Sequence, residues 1–118
     1  MKHRQKAIPK FGRETDQRRA LMKSLARYLI LHEKILTTET KAKALRPYVE
    51  PLVTRAKEDT VANRRLIASR VGNDSDVLAK LFKTLGPRYK GRAGGYTRVV
   101  KVARKASSGR SEAVIAFV

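Results

Sequence analysis

The run Gly86 to Val102, GPRYKGRAGGYTRVVKV, joins a mostly helical part of this chain to a terminal part of strand composition. Gly86-Pro87 reads as a helix stop, a left-handed residue followed by one that cannot continue a helix. Gly91, Gly94 and Gly95 then allow the backbone to turn or to approach a partner closely. From Tyr96 the composition turns to strand. Arg88, Lys90, Arg92 and Arg98 are interleaved with Tyr89 and Tyr96, and no carboxylate lies between Asp76 and Glu112. Bases with aromatic rings on a glycine-rich backbone suit a polyanion with exposed sugar and base faces, and so RNA. The two tyrosines can equally pack across the base of a hairpin.

Ahead of this run, helical periodicity dominates. Thr15 can cap a helix whose first turn carries Asp16. Its apolar face is expected at Leu21, Met22, Leu25, Tyr28 and Leu29, with Arg19, Lys23 and Arg27 in line on the opposite side. That stripe is either a solvated face or a phosphate contact. Lys34 to Thr38 has strand composition, and Thr38 offers a second N-cap. From Glu39 to Lys57, Ala42, Leu45, Val49, Leu52, Val53 and Ala56 recur at three and four. Pro47 and Pro51 fall inside that pattern at about 3 kcal/mol each, so one kinked helix or two short ones are expected. Thr60 to Val71 is a third helix, with Val61, Leu66, Ile67 and Val71 inward, ended by Gly72-Asn73. Asp74 or Ser75 caps a fourth, whose apolar face is Val77, Leu78, Leu81, Phe82 and Leu85.

Beyond the run, Tyr96–Ala103 and Glu112–Val118 pair most simply as an antiparallel hairpin around a turn at Ala106–Arg110. With the strand at 34–38 they give an α+β domain over residues 14–118: about four helices on a small, three-stranded mixed sheet. Residues 1–13 have no hydrophobic period and are expected to form an extended basic arm that orders on a partner.

Charge then narrows the function. The net charge is +18, and residues 1–13 and 86–110 carry 13 of it with no acid in either segment. The remainder, 15 bases against 10 acids, is close to an ordinary surface. Self-repulsion so concentrated calls for a polyanionic partner. The chain has no cysteine, which removes disulfides, thiolate metal sites and cysteine nucleophiles. His3 and His32 are far apart, no phosphate-binding G-x-x-x-x-G-K-[ST] motif occurs, and the acids fall singly at helix starts and turns; catalysis, a cofactor, a metal and a small-molecule substrate are not expected. No apolar run approaches the ~20 residues a membrane span needs, and no signal peptide or membrane partner is expected. A DNA-binding helix-turn-helix over residues 60–85 is the chief competitor, but its recognition helix would begin Asp74-Ser75-Asp76 and carry its bases, Lys80 and Lys83, late.

Several segments together resemble one family, the bacterial large-subunit ribosomal protein seventeen. They are Met1-Lys2-His3; Phe11-Gly12-Arg13 with Arg18-Arg19-Ala20-Leu21; Thr37-Thr38-Glu39-Thr40-Lys41-Ala42-Lys43 with Leu45-Arg46-Pro47 and Val49-Glu50-Pro51-Leu52; Ala62-Asn63-Arg64-Arg65-Leu66; and Gly86-Pro87-Arg88-Tyr89 leading to Gly94-Gly95-Tyr96-Thr97-Arg98. The chain departs from the family pattern at Gln17, where His is usual, and at Ala116-Phe117, where Glu-Leu is common. The resemblance implies a structural constituent of the large ribosomal subunit, bound to its ribosomal RNA beside neighbouring ribosomal proteins near the tunnel exit. The residues expected at RNA are Lys2, His3, Arg4, Lys6, Lys10 and Arg13 of the arm; Arg18, Arg19, Lys23, Lys41, Arg46, Arg64 and Arg65 of the helices; and Arg88, Tyr89, Lys90, Arg92, Gly94, Gly95, Tyr96 and Arg98 of the central run.

Overall fold

The structure is a computed structural model, and it describes residues 15–105 and 109–118. The arm and the middle of the turn expected at Ala106–Arg110 lie outside the described residues. Helix α1 (Thr15–His32) carries Asp16 at its positive end. Its buried stripe is Met22, Ala26, Leu29 and Ile30, spaced i, i+4, i+7 and i+8. The buried face is therefore rotated from the expected one: Leu21 and Leu25 are half-buried and Tyr28 is 59 % exposed. Ala26, fully buried, takes a place on the inward stripe that the expected face did not include. The helix ends at Glu33 in the left-handed region (φ 66°), its N–H bonded to the Leu29 carbonyl at 2.7 Å.

Strand β1 (Lys34–Thr38) leads directly into α2 (Glu39–Ala56), where the Thr38 hydroxyl accepts from the Lys41 N–H. The six expected core positions of α2 are all buried, and Ala44 joins them. The helix is continuous through Pro47 and Pro51, both exposed. Burial of the opposite face outweighs what the prolines cost locally. In α3 (Val61–Val71), capped by Thr60, Ile67 and Val71 are buried as expected, whereas Val61 is exposed in the first turn. Asn63 takes the inward place there, its amide donating to the Glu58 carbonyl at 2.9 Å. Gly72 ends α3 at φ 86°.

Asp74 caps α4 (Ser75–Lys80), accepting from the Asp76 and Val77 N–H groups. The run continues through a π-helical turn, Leu81–Leu85, into a last turn, Gly86–Arg88. Gly86 is thus not a left-handed stop. It is helical (φ −55°, ψ −54°), its N–H reaches the Leu81 carbonyl, and the run ends three residues later than the sequence suggests. The glycine serves proximity: a Cβ there would come within 2.9 Å of the Ala56 carbonyl carbon and closer still to its oxygen. The end of α2 lies against the wall of this helix where only a residue without a side chain fits.

Strands β2 (Thr97–Lys105) and β3 (Ser111–Phe117) form the expected hairpin, and β3 is the middle strand in the order β1-β3-β2. Both pairings are antiparallel, so the sheet is not mixed. The helices between β1 and β2 bring those two strands into the same direction, but β3 lies between them and no parallel pair forms. In register, Ile35, Ile115 and Val99 line the inner face against α2, while Leu36, Val114 and Val100 align across the outer face. A register shift between Lys101 and Lys105 interrupts the β2 ladder.

Candidate nucleic-acid interface

The glycine-rich segment between Tyr89 and Thr97 is held at several points. The Tyr89 and Tyr96 rings are both buried, 5.1 Å apart and tilted, with Tyr89 also against Phe117 at 6.3 Å. The Tyr96 hydroxyl lies 3.0 Å from the Thr54 hydroxyl and donates to the Arg92 carbonyl at 3.1 Å; the Tyr89 hydroxyl donates to the Val118 carbonyl. Neither ring is open to a nucleobase. As stacking surfaces, both tyrosines are corrected: they are the core under the loop, where two large apolar rings stabilise by burial.

Glu50 of α2 is the second anchor. Its carboxylate accepts from the Gly95 N–H (3.3 Å), the Thr97 N–H (3.1 Å) and the Thr97 hydroxyl (2.8 Å), with Arg46 at 3.5 Å. Burial pushes this carboxyl up, but the bonds from Thr97 and Gly95 and the charge of Arg46 outweigh it, and the net shift is downward. Gly95 stands at φ 67°, a conformation that favours glycine. Just past the end of α2, the Lys57 ammonium donates to the Arg92 carbonyl and lies over the Tyr96 ring, 5.0 Å from its centre.

This anchoring brings five of the expected residues together, three of them arginines. Arg46 from α2, Arg92 from the loop and Arg98 from β2 line one open depression of about 430 Å³ together with Gly94 and Gly95. Arg92 is steadied by a bond to the Gly95 carbonyl at 3.3 Å. Among the described residues no acid pairs with Arg92 or Arg98. The result is a fixed, positively charged concavity lined in part by glycine.

The other basic residues differ in how far they are committed to the fold. Arg88 makes a bidentate pair with Glu33 (2.6 and 2.9 Å), and Lys80 joins the same carboxylate at 2.8 Å. The bond from Arg88, then that from Lys80, holds the Glu33 carboxyl down at about 2, and Glu33 in turn raises Arg88. Arg64 is bidentate to Asp59 (2.5 and 2.8 Å) with its guanidinium over the Phe82 ring at 4.6 Å. Both arginines are structural first. Arg65 and Lys90 are exposed, as is Arg19; Arg18, whose guanidinium donates to the Thr15 hydroxyl at 3.3 Å, Lys23 and Lys41 are half-buried. Lys2, His3, Arg4, Lys6, Lys10 and Arg13 lie outside the described residues.

Sequence reasoning missed two features here. Glu50 carried a legible signal only toward Arg46, one helical turn away; its bonds to Gly95 and Thr97 span more than forty residues and leave no local trace. Arg27, placed on an acid-free stripe, in fact pairs with Asp74 at 2.7 Å across the α1–α4 contact.

Comparison with known proteins adds a consistent result. A family model described as ribosomal protein L17 matches residues 21–118. The large ribosomal subunit protein bL17 of Thermomicrobium roseum is 48% identical over 118 residues, covering 100% of this chain and 99% of that protein. The protein of the same description from a Hydrogenobaculum species is 50% identical over 119 residues, with 100% and 99% covered.

Proposed function

The chain belongs to the ribosomal protein L17 family, and from that premise we propose that it binds and stabilises large-subunit ribosomal RNA, with the concavity of Arg46, Arg92 and Arg98 as a principal contact on the folded domain. The observation that carries this reading is the convergence of three arginines from three elements beside a glycine-rich segment held by Glu50 and Lys57. A guanidinium offers a planar fork of donors that matches phosphate oxygens, and glycine lets a sugar–phosphate backbone lie against the main chain. Recognition of this kind reads shape and backbone rather than sequence. The arm, with Lys2, His3, Arg4, Lys6, Lys10 and Arg13, supplies further phosphate contacts, as do Arg18, Arg19, Lys23, Lys41, Arg65 and Lys90. The position on the subunit is near the tunnel exit, next to other ribosomal proteins. Catalysis has no part in the role.

The duplex-DNA alternative is weakened by Asp74 itself. It caps α4 and pairs with Arg27, so the start of the would-be recognition helix presents carboxylates where a phosphate backbone would lie.

The test is equilibrium binding of the full chain to protein-free large-subunit ribosomal RNA as a function of salt. Six to ten neutralised phosphates give a log–log slope of roughly −5 to −9. Replacing Arg46, Arg92 and Arg98 together by alanine should weaken binding and flatten that slope by about 2–3, with the thermal midpoint nearly unchanged because all three are exposed. An unchanged slope and affinity in the triple variant would remove the concavity from the interface.

A further inference from the structure

We propose that the outer face of α1 around Tyr28 receives an unpaired nucleobase, stacked on the Tyr28 ring; this rests on the RNA reading above and adds to it a contact of a different chemical kind. Among the described residues, Tyr28 is the one tyrosine or phenylalanine whose ring is exposed. Phe82, Tyr89, Tyr96 and Phe117 are buried, and Tyr48 is half-buried with its hydroxyl bonded to the Arg70 carbonyl. One face of Tyr28 is backed by His32, one helical turn on, with ring centres 5.7 Å apart and planes 25° from parallel. The Tyr28 side chain also borders an open depression, together with Ser24, Arg27 and Leu31.

The surroundings favour a nucleobase over other occupants. A planar ring already stacked on one side is fixed in orientation, and extending the stack costs little further ordering. Arg27 is held in place by Asp74 at 2.7 Å, so its stem forms a steady wall rather than a sweeping side chain. The same helix carries Arg19 and Lys23, with Asp16 its one acid, while Arg27 is already paired with Asp74. An apolar peptide or a second copy of this basic chain would bring nothing for those cations, whereas a nucleobase arrives with its own phosphates. The contrast with the outer sheet face is instructive: Leu36, Val114 and Val100 align there without a ring, and offer no stacking surface. Stacking of one base on an aromatic side chain is sequence-tolerant, in keeping with a protein that recognises RNA by shape.

The chain contains no tryptophan, so Tyr28→Trp installs a single reporter at the site, and Val100→Trp installs one on the sheet as reference. Protein-free large-subunit ribosomal RNA is titrated into each full-length variant at low salt, and binding of Tyr28→Ala and Tyr28→Phe is measured in parallel. The expected result is saturable quenching of the Tyr28→Trp emission with little change at Val100→Trp. Tyr28→Ala should bind about tenfold more weakly at an unchanged salt slope, because stacking is lost and phosphate contacts are kept, and Tyr28→Phe should bind as wild type. Wild-type affinity in Tyr28→Ala, or equal quenching at both reporters, would overturn the stacking site and leave the RNA reading standing. An emission shift at Tyr28→Trp on raising protein concentration alone would assign the face to a second copy and overturn the proposal. Failure of the wild-type chain to bind the RNA would overturn both.

Discussion

Gly86→Ala sets local preference against tertiary space, and the two predict opposite signs. The residue is helical, at φ −55° and ψ −54°, so by propensity alone alanine should stabilise by about 1 kcal/mol. Against this, the added Cβ would come within 2.9 Å of the Ala56 carbonyl carbon and closer to its oxygen. Those are backbone atoms near the end of α2, and they cannot swing aside as the tip of a side chain would. Forcing extra volume into a packed site costs about 1–3 kcal/mol, and a clash with main chain belongs at the upper end. The net expectation is a loss of about 1–2 kcal/mol, or a fall in thermal midpoint of roughly 5–10 °C for a chain of this size. Circular dichroism melts with matched urea titrations would measure it. Gly91→Ala is the reference, since a Cβ there would meet nothing within 4 Å, and it should change stability by less than about 0.5 kcal/mol. Adding Ala56→Gly to Gly86→Ala should give no rescue, because the obstruction is the carbonyl and not the Ala56 methyl. A Gly86→Ala protein as stable as wild type, or more so, would refute the close-approach explanation.

Two further outcomes concern the carboxylates that tie the elements together. Glu33 has its carboxyl lowered from 4.5 to about 2, chiefly by the bond from Arg88 and then that from Lys80. A lowered folded-state value contributes stability that is complete above about pH 4.5 and is lost as pH falls toward 2. Glu33→Gln should therefore lower stability at neutral pH by on the order of 1 kcal/mol, allowing for solvent screening, and the gap to wild type should close between pH 4.5 and 2; a gap independent of pH would contradict the pairing. Glu50→Gln should cost about 1–2 kcal/mol, since charge-assisted bonds are the stronger kind. It should speed amide exchange at Gly95 and Thr97 in particular, and unchanged protection at those two amides would argue against the anchor.

Much of this architecture is legible in the sequence because local and tertiary demands coincide. The core stripe of α2 is apolar at every turn, and Thr38 caps it where expected. Where the two demands part, local reading fails in a physically specific way. A Gly-Pro pair reads as a stop, yet Gly86 lies inside a helix, and it is glycine because the Ala56 carbonyl leaves no room for a Cβ. Apolar bulk reads as inward, yet Tyr28 faces out while the small Ala26 is fully buried. Of the expected basic residues, Arg92 and Arg98 stand beside Gly94 and Gly95 as neighbours in sequence must, whereas Arg46 joins them only through the fold. Tyr89 and Tyr96 are buried: the same alternation that suggests stacking also suits the core of a hairpin. Arg64 and Arg88 have acid partners that no spacing rule anticipates at Arg88's distance of 55 residues.

The strand order has a consequence for how the protein comes into being. β3 is the middle of the sheet but the last of the three strands to be synthesised, and β1 and β2 have no ladder between them without it. Roughly 70 residues separate the end of β1 from the start of β3, which at about 5–20 residues per second leaves β1 waiting on the order of 4–15 s. Even the end of α1 waits, since the Glu33 carbonyl is met by the Phe117 N–H. The sheet therefore cannot be completed before β3 is made, and until then β1 has no strand to pair with.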